Sequence, residues 1–198
     1  MGYTHYYTRT QQTLDPTRFA QFVADCQQIC LKSEIPIAGW DGKGKPVFNT
    51  KRVSFNGVAR CRHPQRDLGI TWPSDDPQRG GMSPAGSVTG TWFAGANLST
   101  RTCDGDCSHE TFLVEQRFTI EPWMRPEDDF FACCKTAYKP YDIVVTGCLI
   151  ILTHYFGDVV RVSSDGEEHD WEDGRRLCQH VLGYGADFRL PREAEVAD

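Results

Sequence analysis

Lys139-Pro-Tyr-Asp-Ile-Val-Val-Thr-Gly-Cys-Leu-Ile-Ile-Leu-Thr-His-Tyr-Phe-Gly157 is the most apolar run of the chain. Its Ile, Val, Leu and Cys side chains cover nearly every face of a helix, and a helix that is apolar all round is buried. Lys139-Pro-Tyr-Asp142 opens it, because proline is tolerated where helix N–H groups lack partners anyway. Gly157 closes it. The sequence therefore predicts a central buried helix over Ile143–Phe156. The run is too short and, with Thr146, Gly147, Thr153 and His154, too polar to span a bilayer.

Working outward, Tyr3–Thr10 reads as an opening strand, rich in Tyr and Thr. Asp15 caps a helix with Pro16 in its first turn, and Phe19, Phe22, Val23, Cys26, Ile29 and Cys30 recur at helical spacing. Ile35–Trp40 reads as a short strand, and Arg52-Val-Ser-Phe55 as a strand closed by an Asn56-Gly57 turn. Glu110–Ile120 is strand-like. After the central helix come a strand over Val159–Ser163, a turn at Asp165-Gly166 and an amphipathic helix over Trp171–Leu182. Between Cys61 and Ser108 the composition shifts to Gly and Pro, which predicts a long, irregular insertion with one strand at Val88–Phe93. This order predicts a single α+β domain over residues 1–190: a mainly antiparallel sheet, about three helices, the insertion at about 61–108, and a flexible tail at 191–198.

The chain has 198 residues, enough to bury roughly 70% of its extended surface, so folding does not require a metal. A net charge of −6 disfavours nonspecific nucleic-acid binding. The nine cysteines include an adjacent pair, Cys133-Cys134, and thiols inside apolar helices, which points to a reducing, cytoplasmic setting. No basic segment followed by an apolar one opens the chain, so no secretory signal is expected.

Two clusters carry chemistry. Cys61, His63, Cys103 and Cys107 stand at the two roots of the insertion and form a tetrahedral Cys/His set suited to structural zinc, with His109 as a spare ligand or site residue. A Cys103–Cys107 disulfide is the alternative if the protein is exported, and free thiols in a loop the plainer one. The second cluster lies at the mouth of the apolar helix. Lys135, Thr136 and Lys139 approach the free N–H groups and the positive end of the helix dipole, as an anion site requires, and Asp142 in the first turn suits the same dipole. Capped-helix lysines are the plain alternative. His5, flanked by tyrosines, and His109 are candidates to handle protons, Lys135 a candidate catalytic amine, and Ser164 with Asp165 a hydroxyl and a carboxylate at a strand end. Neither a phosphate-binding loop nor a dinucleotide fingerprint occurs.

Met1-Gly-Tyr-Thr-His-Tyr6, Phe55-Asn-Gly57, His109-Glu-Thr-Phe112, Cys134-Lys-Thr-Ala137, Lys139-Pro-Tyr-Asp142, Ser163-Ser-Asp-Gly166 and Leu182-Gly-Tyr-Gly185 resemble segments of an uncharacterised family of small phage, bacterial and fungal proteins. The resemblance brings no activity. It implies one ancestral domain, excluding the insertion, and a cytoplasmic setting. Two functions are therefore expected: an enzyme acting on a small anionic ligand, such as a nucleotide or phosphorylated metabolite, or a non-catalytic zinc-stabilised module that grips a protein partner. The enzyme requires His5, His109 and the Lys135–Lys139 segment to share a pocket. The module requires an exposed apolar patch at Trp72, Trp92 and Phe93.

Overall fold

The computed structural model describes residues 3–61, 66–71, 81–84, 101–103, 105–120, 122 and 129–191, with backbone alone for 66–71, 81–84, 102 and 103. His63, Trp72, the Val88–Phe93 strand with Trp92 and Phe93, and the tail from 192 lie outside these residues. In chain order the elements are β1 (Thr4–Arg9), α1 (Pro16–Lys32), β2 (Ile37–Ala38), β3 (Val47–Asn49), β4 (Arg52–Gly57), β5 (Arg66–Thr71), β6 (Gly81–Pro84), β7 (Arg101–Cys103), β8 (Phe112–Glu115), β9 (Phe130–Lys135), α2 (Asp142–Phe156), β10 (Val160–Ser164) and α3 (Glu172–Leu182).

The apolar run is α2, buried from Asp142 through Leu152 and again at Phe156. It packs against α1, α3 and β10. α1 starts as its sequence requires: Asp15 accepts a hydrogen bond from the Arg18 N–H at 2.8 Å, with Pro16 in the first turn. Its apolar stripe, Phe19, Phe22, Cys26 and Ile29, is fully buried. No helix among the described residues is long and apolar enough to cross a membrane.

Every strand pairing among the described residues is antiparallel. β1 is the middle strand of β10-β1-β9, β4 is flanked by β3 and β8 and also pairs with β2, and β5 lies between β6 and β7. The chain is thus a single α+β domain, but the insertion is not wholly irregular, since β5, β6 and β7 form a sheet within it and at its end. Two local readings are corrected. Asn56-Gly57 is not a hairpin turn. It lies inside β4, where the Asn56 side-chain amide bonds the backbone of His109 through both its oxygen (3.1 Å) and its nitrogen (2.9 Å). Gly57 is needed because a Cβ there would stand 1.8 Å from the Cys107 carbonyl oxygen. Phe130–Lys135, for which no strand was expected, is β9.

Candidate functional site

β1 and its two neighbours set the geometry. His5 pairs with Cys134 of β9 and Ser164 of β10, and its ring turns inward with 1% of the residue exposed. Thr4 pairs with Lys135. Side chains alternate across a strand, so Lys135 lies on the opposite face from His5. The sheet therefore brings the His5 and Lys135 backbones together and separates their side chains. The single pocket expected of His5, His109 and Lys135–Lys139 is not formed by this arrangement. Glu110 links the segments, its side-chain Oε2 accepting from Lys135 N–H at 2.7 Å and its own backbone N–H donating to Lys135 O, while His109 is exposed.

Asp142 is fully buried at the start of α2, and its carboxylate is filled on both sides. Oδ1 faces His5 Nε2 at 2.7 Å and accepts from Thr136 Oγ1 at 2.5 Å. Oδ2 accepts from Arg101 Nε at 2.9 Å and lies 2.8 Å from its NH2. Burial opposes ionisation of Asp142, but Arg101, His5 and Thr136 outweigh it and hold the carboxyl below its ordinary range. The anion expected at this helix mouth is thus the chain's own carboxylate, with Thr136 and Asp142 engaged by each other. Lys139 is half-buried and lies near Asp106, whose proton affinity it helps lower.

The other His5 nitrogen completes a relay. Nδ1 lies 2.9 Å from Ser164 Oγ. An ionised Asp142 only accepts, so Nε2 carries a proton, and in the neutral imidazole Nδ1 then offers its lone pair to the serine hydroxyl. Ser164 Oγ also accepts from Gly166 N–H at 2.9 Å, which orients it. Ser164 is half-buried, so the relay Asp142–His5–Ser164 runs from the core to a strand end that solvent reaches. Asp165, beside it, accepts from Thr4 N and Tyr6 OH and fixes the turn.

Around the relay sit groups that the sequence did not mark. Arg101, fully buried, also donates from NH2 to the Asp170 carbonyl at 3.2 Å and places NH1 4.0 Å from Asp173 Oδ2. Asp173 is 1% exposed, and neither of its oxygens has a hydrogen-bond partner among the described residues, which also holds for Tyr3 OH and Trp171 Nε1. Burial pushes the Asp173 carboxyl up to about 6, against the pull of Arg101 and Arg176. Trp171 and Tyr3 meet the His5 ring edge-on, at centroid distances of 5.1 and 4.8 Å. Tyr138 stacks on Tyr3 at 3.7 Å from a turn in which both Ala137 (φ 50) and Tyr138 (φ 55) are left-handed. Such conformations cost about 1–3 kcal/mol each and persist where neighbours over-determine them, often at functional sites.

At the insertion roots, Cys61 Sγ and Cys107 Sγ lie 3.4 Å apart. Cys103 ends β7. Among the described residues no three His, Cys, Asp or Glu side chains are grouped as a metal-ligand set. Comparison with known proteins gives no match to any family, curated protein or solved structure, so function is read from this geometry alone.

Proposed function

We propose that the chain is a hydrolytic enzyme in which Ser164 is the nucleophile, His5 the general base and Asp142 the carboxylate that orients and balances the imidazole. The observation that carries this is the unbroken hydroxyl–imidazole–carboxylate relay, 2.9 and 2.7 Å per link, ending on a half-buried serine. A serine hydroxyl is a weak nucleophile until an adjacent base takes its proton, and the base works best when a third group fixes its tautomer. Thr136 and Arg101 support the arrangement by holding Asp142 ionised and in place.

Electrostatics favour a neutral or cationic substrate over the anionic one expected from Lys135 and Lys139. Asp165 and Glu167 are exposed carboxylates within three residues of Ser164, and an anion approaching that end meets like charge. Hydrolysis of neutral p-nitrophenyl butyrate and anionic p-nitrophenyl hemisuccinate tests this. Turnover of the neutral ester should exceed that of the anionic one and fall at least about 10³-fold in Ser164→Ala, as loss of a triad nucleophile does. Equal turnover by wild type and Ser164→Ala would remove the proposal. The second reading, a zinc-stabilised module engaging a protein partner, draws support for its metal from the Cys61–Cys107 contact.

A further inference from the structure

Gly183-Tyr-Gly185 follows α3 and lays the chain against α2. Gly183 caps the helix at φ 80. Gly185, at φ 98, packs so closely that a Cβ there would stand 3.0 Å from Ile150 Cγ2. Phe188 N–H then donates to the Gly185 carbonyl at 3.3 Å and closes a turn. Between this turn and the C-terminal half of α2 lies a groove of about 300 Å³, at the lower end of the range for small-molecule sites. Ile150 and His154 of α2 line it on one side, and Tyr184, Asp187 and Phe188 of the turn on the other.

The rings in this lining are held in place. Tyr184 stacks on His154 at 4.0 Å, and Phe188 stacks on Trp171 at 5.2 Å. Tyr184 OH donates to Asp25 Oδ2 at 2.6 Å, and Tyr155 OH donates to the same oxygen at 2.8 Å. Burial and Asp25 both raise the proton affinity of Tyr184, so it stays a phenol. A phenol that donates to a carboxylate is polarised toward its ring, which makes the ring face more negative. Asp187 adds an exposed carboxylate. No lysine or arginine is among the described residues that line the groove, and the nearby Arg175 and Arg189 donate to the Phe188 carbonyl.

We propose that this groove binds a small quaternary or methylated ammonium group, held against Tyr184 and Phe188 and balanced by Asp187. A hard metal ion needs several oxygen ligands and a primary ammonium has three protons to place, whereas the lining offers one carboxylate. A methylated ammonium needs only ring faces and negative charge nearby. The site is separate from the Ser164 relay. Trp171, stacked on Phe188, meets His5 edge-on at 5.1 Å and is itself fully buried.

The test titrates the whole chain by calorimetry with choline and with its neutral carbon isostere, in which a tert-butyl group replaces the trimethylammonium. It is run at about pH 8, where an exposed imidazole is uncharged and does not repel the probe. Choline should bind with a Kd of about 1 mM or lower, and at least about tenfold more tightly than the isostere. Asp187→Lys alters an exposed side chain and should weaken choline at least about tenfold while leaving the isostere unchanged. Tyr184→Leu should weaken choline at least about fivefold. If Tyr184→Leu does not fold, Asp187→Lys decides. Wild-type protein that binds no choline, or binds choline and the isostere equally, or an Asp187→Lys variant with wild-type choline affinity, would overturn the proposal.

Discussion

Replacing Asp173 with Asn should stabilise the protein at neutral pH and leave its stability unchanged in acid. Asp173 is buried without a hydrogen-bond partner among the described residues, and Arg101 is 4.0 Å away and already engaged by Asp142. Its folded-state value of about 6 lies above the ordinary 3.8. Between these two values the folded chain binds more protons than the unfolded chain, so stability falls as pH rises through that window. At about 1.4 kcal/mol per tenfold change in proton affinity, the loss approaches 3 kcal/mol by pH 7–8. Asn carries no charge to desolvate and removes that loss, although its amide inherits the missing partners. A gain of about 1–3 kcal/mol over wild type at pH 7.5 is expected, shrinking to about zero at pH 3.5. Urea unfolding of both proteins from pH 3.5 to 8 measures it. Carboxylates remote from Asp173 cancel in the difference, and Asp142, which shares Arg101 with it, has a depressed value that acts in the opposite sense and at lower pH. A wild-type-to-variant difference that stays constant across the range would refute the reasoning.

Two further predictions concern the frame. Leu149→Asp should abolish cooperative folding, because Leu149 is 1% exposed in the centre of α2 and an unpaired buried carboxylate costs an amount comparable to the whole stability of a domain; a soluble variant with a sharp unfolding transition would contradict this. Asp15→Ala should cost about 0.5–2 kcal/mol in chemical unfolding through loss of the Arg18 N–H cap, while activity persists.

The helices were legible because burial imposes a period on sequence. α2 shows as an unbroken apolar run and α1 as a capped stripe. β9 was not, because Phe131 and Cys133 are apolar residues on its exposed positions and erase the alternation that reveals a half-buried strand. Asn56-Gly57 carries the residues of a hairpin turn, but side-chain bonding to His109 and close approach to Cys107 use them inside a strand instead. The relay was legible only in parts. His5, Asp142 and Ser164 each drew attention singly, yet the contact between His5 and Asp142 spans 137 positions and exists only once β1 lies over the start of α2. Arg101 and Asp173 gave no signal. One sits at the end of a Gly- and Pro-rich insertion and the other in the acidic first turn of an amphipathic helix, where charges are ordinarily solvated.

The central claim, that Ser164 is an activated nucleophile, is tested most directly by covalent labelling. Intact protein is treated with a fluorophosphonate, and the modified residue is located by peptide mass mapping in wild type and in His5→Gln. The account predicts one adduct per chain, on Ser164, formed at least about 10²-fold more slowly when His5 is replaced, as loss of a general base requires. Folded wild-type protein that takes no adduct, or a His5→Gln variant labelled at the wild-type rate, would contradict it.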